Sequence, residues 1–174
     1  VVVVLIAIYI AVQYNGFVKL NNMVKEAFST MDVYLKKRYD LIPNLIETVR
    51  GAAKHESETL SAVTNARNVA MGEQGPASAD AQNKLSQTLK SLFAVAENYP
   101  DLKANQNFLE LQRELTDTET KIQSARQFYN TVVMALNTQI EQFPSCIIAS
   151  MFGITPEKMF EIDDAEKVAP KVKF

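Results

Sequence analysis

Residues 102–142 read LKANQNFLELQRELTDTETKIQSARQFYNTVVMALNTQIEQ. Along this stretch Phe108, Leu111, Leu115, Thr118, Ile122, Ala125, Tyr129, Val132, Leu136 and Ile140, with Phe143 just beyond, recur at steps of three and four. An α-helix carries residues so spaced on one face, and a near-heptad step implies left-handed, coiled-coil-like packing against neighbouring helices. At 1.5 Å per residue the predicted helix is about 60 Å long. Pro144 ends it.

The same pattern extends towards the amino terminus. Ala81, Leu85, Leu89, Leu92, Ala96 and Tyr99 predict a helix that Ser78 caps and Pro100 stops. Gly72-Glu-Gln-Gly75-Pro76 is the clearest break before it. A further helix is expected from about Leu41 to about Met71, with the seam Leu45, Val49, Ala53, Glu56, Leu60, Val63, Arg67, Ala70. Glu56 and Arg67 interrupt that stripe three turns apart, so each needs a partner from another helix or a place at the stripe's edge. The first helix carries Leu20, Val24, Ala27, Met31 and Leu35 and is expected to end on Lys36-Lys-Arg38. Asp40 then caps the next helix, and Pro43 falls in its first turn. The expected architecture is all-α: a long antiparallel up-and-down four-helix bundle after an N-terminal membrane segment.

The composition agrees. Of 174 residues, 47% are hydrophobic and 22% charged, with only 5 Gly and 6 Pro, which disfavours a loop-rich β fold. A net charge of -2 offers no basic field for nucleic acid. The single Cys and single His exclude a disulfide framework and any centre needing two such ligands.

Residues Val1 to Val12 carry no charge. They are shorter than the ~20 apolar residues a spanning helix needs. The expected reading is the C-terminal part of a transmembrane anchor over residues 1–13, faced by Val1, Val4, Leu5, Ile8, Tyr9, Ile10 and Val12, with its upstream residues preceding this sequence. The competing reading is a buried core strand or helix start. Tyr9 and Tyr14 suit an interfacial belt.

A bundle over 14–143 with an even number of long helices returns Phe143 to the membrane-proximal end. Residues 144–174 then form a short apolar helix and an extended tail. Ile147, Ile148, Met151 and Phe152 are expected to touch lipid or another subunit, or to close the bundle core. Beyond them Phe160, Ile162, Val168, Val172 and Phe174 are spaced apolar anchors, and Glu161, Asp163, Asp164 and Glu166 precede Lys171 and Lys173.

No catalytic constellation emerges. His55-Glu56 opens an H-E-x-x-H pattern, but Thr59 stands where the second His belongs. Glu161, Asp163 and Asp164 lack the glycine and final glutamate of a calcium loop. Cys146 has no histidine beside it in sequence, and Ser57, Ser61 and Ser78 have no triad context. No phosphate loop or cofactor motif is present.

Longer signatures carry a family resemblance. They are Tyr14-Asn15, Asp32-Val33, Leu35-Lys-Lys-Arg38, Asp40-Leu-Ile-Pro-Asn-Leu45, Ala53-x-His-Glu56, Ala66-Arg67, Ala94-Val-Ala-Glu97 and Tyr99-Pro-Asp-Leu-Lys-Ala-Asn105. Asn107-Phe108-Leu109, Leu111-Gln112, Glu114-Leu115, Ala125-Arg126, Tyr129-Asn130, Phe143-Pro144, Phe152-Gly153, Phe160-Glu161 and Ala169-Pro-Lys-Val172 with Phe174 continue the series. Together they resemble the LemA family over nearly the whole chain after the anchor. The resemblance implies a bacterial protein with an amino-terminal membrane anchor, a long antiparallel bundle and no well-defined molecular activity. It also implies kinship with a magnetosome-membrane protein tied to membrane invagination. Phe28 stands where many members have Trp.

The polar signature residues are Arg38, Asp40, Asn44, His55, Glu56, Arg67, Asn105, Asn107, Glu114, Arg126 and Asn130. They either fix helix register as hydrogen-bonded interior groups or form a partner-binding face. The expected function is a non-catalytic, cofactor-free scaffold in the bacterial cell membrane. It would be single-pass, with the bundle outside the cytoplasm by family analogy. It would contact lipid, self-associate, and organise or shape the membrane, with no nucleic acid or small-molecule substrate. The alternative is a monomeric adaptor that presents the bundle to another envelope protein.

Overall fold

A computed structural model describes residues 1–161. Ile162, Asp163, Asp164, Glu166, Val168, Lys171, Val172, Lys173 and Phe174, and the Ala169-Pro-Lys-Val172 signature, lie outside the described residues. The described chain is all-helical. Its long helices are α1 (Val2–Ala52), α2 (Ser57–Gly72), α3 (Ala79–Ala96) and α5 (Gln106–Glu141). Two short ones, α4 (Pro100–Lys103) and α6 (Ser145–Met151), follow α3 and α5.

The expected boundary near Arg38 and Asp40 does not exist. α1 passes through it and holds Pro43 in its interior. The basic run is not a helix end: Lys36 is exposed, Lys37 lies 3.6 Å from Glu114, and Arg38 is wholly buried. The actual break comes at Ala53–Glu56, where the Glu56 amide bonds the Ala53 carbonyl at 3.2 Å. The seam residues still face inward. Leu45, Val49, Ala53, Leu60, Val63 and Ala70 are all buried, but they belong to two helices instead of one.

Other boundaries follow local chemistry. Ser78 precedes α3, yet its hydroxyl bonds the Gly75 carbonyl at 2.7 Å and caps no helix amide. Asn105 is the true start signal of α5. Its Oδ1 accepts from the amides of Asn107 at 2.9 Å and Phe108 at 3.2 Å, two of the four donors a helix start leaves unpaired. Asn105→Ala is expected to cost about 1 kcal/mol in denaturant unfolding. A cost within error would mean water replaces the cap.

The chain packs as two compact units. One comprises Val1–Asp32 and Gln123–Met159. Its interior holds Phe17, Val24, Ala27 and Met31 from α1, Tyr129, Val132, Val133 and Leu136 from α5, and Ile148 and Ala149 from α6. Phe28 meets the Tyr129 ring edge-on at 6.3 Å between centroids. The other unit contains Val33–Ile122. Ile42, Leu45 and Val49 of α1, Leu60 and Val63 of α2, Leu85, Leu89 and Leu92 of α3, Leu102 of α4, and Phe108 and Leu115 of α5 form its core.

The amino-terminal part of α1 has the opposite character. An 18-residue stretch there has mean hydropathy 1.7 and is only 6% buried. By length and composition it can cross a membrane.

Candidate functional site

A polar network lies inside the Val33–Ile122 unit, and Arg38 is its centre. A guanidinium nitrogen of Arg38 contacts Glu119 Oε1 on α5 at 2.7 Å and donates to Ser86 Oγ on α3 at 2.9 Å. The other terminal nitrogen donates to Gln82 Oε1. Ser86 Oγ in turn donates to the second Glu119 oxygen at 2.8 Å. Gln82 Nε2 donates to the Tyr39 hydroxyl at 2.6 Å, and that hydroxyl donates to the Ala70 carbonyl of α2 at 3.1 Å. One connected set of bonds thus joins α1, α2, α3 and α5. Sliding any helix by one turn, 5.4 Å, would break several bonds and strand a buried charge.

Arg67 closes the set and explains why α1 tolerates Pro43. Proline has no amide hydrogen, so the carbonyl four residues earlier, that of Tyr39, loses its helical donor. Arg67 Nε supplies one at 2.8 Å from α2. The charged residue that interrupts the apolar stripe therefore satisfies the acceptor that the proline leaves open. Arg67→Met is expected to cost about 1–3 kcal/mol, because it strands that carbonyl. The cost is expected to shrink in a Pro43→Ala background, where residue 43 regains its N–H. Equal costs in the two backgrounds by urea unfolding would break this link.

Glu56, the other charge on the stripe, accepts from Tyr99 Oη at 2.7 Å. That bond, with burial and the carboxylate's charge adding, raises the Tyr99 phenol above its ordinary 10.0. The contact is complete below the ordinary tyrosine range and is lost as pH rises through the raised value. Glu56→Gln is expected to return this phenol's ionisation towards the free value in a pH-difference absorbance titration. An unmoved titration would show that Glu56 is not the cause.

The remaining signature residues divide. Asp40, Asn44, His55 and Asn107 are exposed, and Asn105 is the exposed cap of α5. Glu114 is half-buried beside Lys37. Arg126 is buried and Asn130 half-buried, both in the other unit and neither without a partner. Sequence reasoning missed Tyr39, Gln82, Ser86 and Glu119. Gln82 and Ser86 sit one and five residues beyond Ala81 on the stripe's flank, and nothing in their spacing marks them as interior.

The Val1–Asp32 and Gln123–Met159 unit holds the residues expected to face the membrane. Val1, Val4, Leu5, Ile8, Tyr9 and Val12 are exposed and Ile10 is half-buried. Ile147, Met151 and Phe152 are exposed, while Ile148 is 3% exposed and packs inward. The Tyr14 and Phe152 rings meet at 4.7 Å, and Gln139 Nε2 donates to Gln13 Oε1 at 3.1 Å. Gly16 admits this approach, since a Cβ there would lie 2.9 Å from Gln139 Nε2. Beside them is an open groove of about 910 Å³ lined by Tyr9, Gln13, Leu20, Met134, Gln142 and Phe143. Asn137 then draws the chain back along α5 by pairing both its amide atoms with Glu157 backbone groups at 2.9 Å. Tyr129 Oη donates to the Lys158 carbonyl at 3.2 Å; burial, then Glu157, raises its pKa. Among the described residues no three His, Cys, Asp or Glu side chains converge as metal ligands would.

The LemA family model matches residues 27–174. The chain belongs to the LemA family. Protein LemA of Metamycoplasma hominis is 24% identical over 158 residues, which cover 88% of this chain and 71% of that protein. Magnetosome protein MamQ 2 of Paramagnetospirillum magneticum is 22% identical over 176 residues, 86% of this chain and 65% of the relative. Magnetosome protein MamQ of Magnetospirillum gryphiswaldense is 22% identical over 175 residues, 85% and 64% respectively. This LemA-family chain therefore spans slightly less than two thirds of the magnetosome relatives. Kinship with LemA and MamQ, together with the exposed apolar end of α1, points to a membrane-associated protein.

Proposed function

We propose that the chain is a non-catalytic, membrane-anchored scaffold: a single-pass helix continued by a four-helix bundle that self-associates and organises the bacterial membrane, with the bundle on the extracytoplasmic side. One observation carries this reading. α1 runs unbroken from an exposed apolar stretch to residues that sit in a hydrophobic core, so anchor and scaffold share one helix. The interior polar groups of the Val33–Ile122 unit hold helices to one another. The magnetosome names of two relatives favour a role in membrane organisation.

Light scattering of the full chain in detergent, followed by electron microscopy of the chain in vesicles, tests it. The expected result is a defined homo-oligomer and vesicles that change in shape or cluster. A monomer that leaves vesicles unchanged would replace scaffold with adaptor, and in-cell crosslinking from unit Val33–Ile122 would then be expected to capture a different envelope protein.

A further inference from the structure

We infer that the α5–α6 reversal, residues 142–154, is a second membrane contact: a wedge that enters the lipid leaflet beside the anchor. The inference rests on the reading of α1 as an anchor and goes beyond it, because a lone spanning helix needs no such element.

Charge is the first ground. No Asp, Glu, Lys or Arg occurs from Val1 to Val18, and none from Gln142 to Pro156. The fold sets these two uncharged stretches side by side, with Tyr14 against Phe152 at 4.7 Å. The charges that flank them are Lys19 on one strand of the chain and Glu141 and Glu157 on the other. Charged groups are expensive in the hydrocarbon layer, so a shared limit between uncharged and charged residues marks a shared depth.

Exposure is the second. Within this short reversal Phe143 is 77% exposed, Met151 66%, Ile147 53% and Phe152 50%. Four large apolar side chains between residues 143 and 152, next to a lipid-facing helix, make a patch that water would leave costly and lipid would satisfy.

Backbone closure is the third, and it separates a wedge from an ordinary loop. Lipid offers no hydrogen bonds, so a segment that enters it must pair its own polar groups. The hydroxyl of buried Ser145 shares its one hydrogen between the Gln139 and Gln142 carbonyls, at 2.6 and 2.7 Å, and the Cys146 amide bonds the Gln142 carbonyl at 2.8 Å, which closes the end of α5. At the end of α6 the Ile154 amide reaches the Ala149 carbonyl at 2.9 Å and the Gly153 amide reaches Ser150 at 3.3 Å. That is the Schellman arrangement, and Gly153 takes the required left-handed turn at φ 66. Both ends of the reversal are thus internally bonded while its apolar side chains face out.

A wedge enters one leaflet only. It takes up area there and none in the opposite leaflet, which gives the proposed membrane-organising role a physical means.

The chain has no Trp, so single substitutions make site-specific reporters. Phe143→Trp and Met151→Trp replace exposed side chains and leave the packing intact. Ile8→Trp reports the anchor, and Val33→Trp, 64% exposed, reports a surface of the other unit. The full chain would be placed in phosphatidylcholine–phosphatidylglycerol vesicles that contain lipid brominated either near the headgroup or deep in the acyl chain. The expected result is blue-shifted emission at 143 and 151, with most of the signal lost to shallow bromines. Ile8→Trp should be quenched by bromines, and Val33→Trp should stay accessible to aqueous acrylamide only. Acrylamide quenching without bromine quenching at 143 and 151, with Ile8→Trp still quenched by lipid, would overturn the wedge and spare the anchor. Loss of bromine quenching at Ile8 as well would overturn both. Blue-shifted emission at 143 without bromine quenching, with Phe143→Cys chains crosslinking to each other, would assign the patch to a second copy and overturn the lipid contact.

Discussion

Arg38→Ala is expected to destabilise the Val33–Ile122 unit by about 3–5 kcal/mol, the range for removing one partner of a buried ion pair. The charge it removes is fully enclosed, whereas Glu119 keeps a quarter of its side-chain surface open to water. The Glu119 carboxylate can therefore regain hydration, which holds the effect towards the lower end. Gln82 Oε1 and Ser86 Oγ each give up a charged donor as well, though Ser86 keeps its bond to Glu119 and Gln82 its bond to Tyr39. Amide hydrogen exchange of the full chain in detergent, read over α2 and α3, reports this unit directly. The cost should fall when Arg38→Ala is combined with Glu119→Gln, since the two side chains are in contact. A loss below about 1 kcal/mol, within the range of a solvent-exposed pair, would show that the network sets no register.

Ile8→Arg is expected to remove the chain from the membrane-integral fraction. A basic residue at the centre of a spanning helix costs about 2.5–3.5 kcal/mol, or roughly two decades in the insertion equilibrium. Ile8 lies in the exposed apolar stretch and is not a buried core residue, so the substitution leaves the buried cores unchanged. Alkaline extraction of membranes checks it: the variant should move to the soluble fraction while Val33→Arg, on an exposed surface elsewhere, stays in the pellet. An Ile8→Arg chain that resists extraction would mean the stretch does not span.

These two residues mark different degrees of legibility. The apolar setting of Ile8 was readable because hydropathy is a local property: twelve uncharged residues are visible in the sequence wherever they sit. The inward faces were readable for a similar reason. Leu45, Val49, Leu60, Val63, Leu85, Leu89, Leu115, Ile122 and Leu136 recur at helical period, and all are buried. The strongest stop signals, Gly72 to Pro76 and Pro144, also lie at real helix ends.

The α1–α2 boundary was misread for a physical reason. Pro43 is a helix breaker by covalent structure, yet its penalty is met from 24 residues away, by Arg67 on another helix. Ala53, Glu56 and Leu60 keep steps of three and four straight through the actual turn, which contains no proline or glycine to betray it. The register network was hidden for the same kind of reason. Gln82 and Ser86 look like solvent-facing residues of an amphipathic helix, and only the arrival of Arg38 and Glu119 from two other helices makes them interior.

The all-helical character, the buried faces, the apolar amino-terminal stretch and the family were legible in the sequence, because periodicity, hydropathy and signature spacing are carried by residues near one another in the chain. Only the packed helices decided where α1 ends, which polar residues meet, and that Tyr14 and Phe152 lie in ring contact. Those outcomes depend on hydrogen-bond partners far apart in sequence, and a partner's identity exists only once the helices have packed.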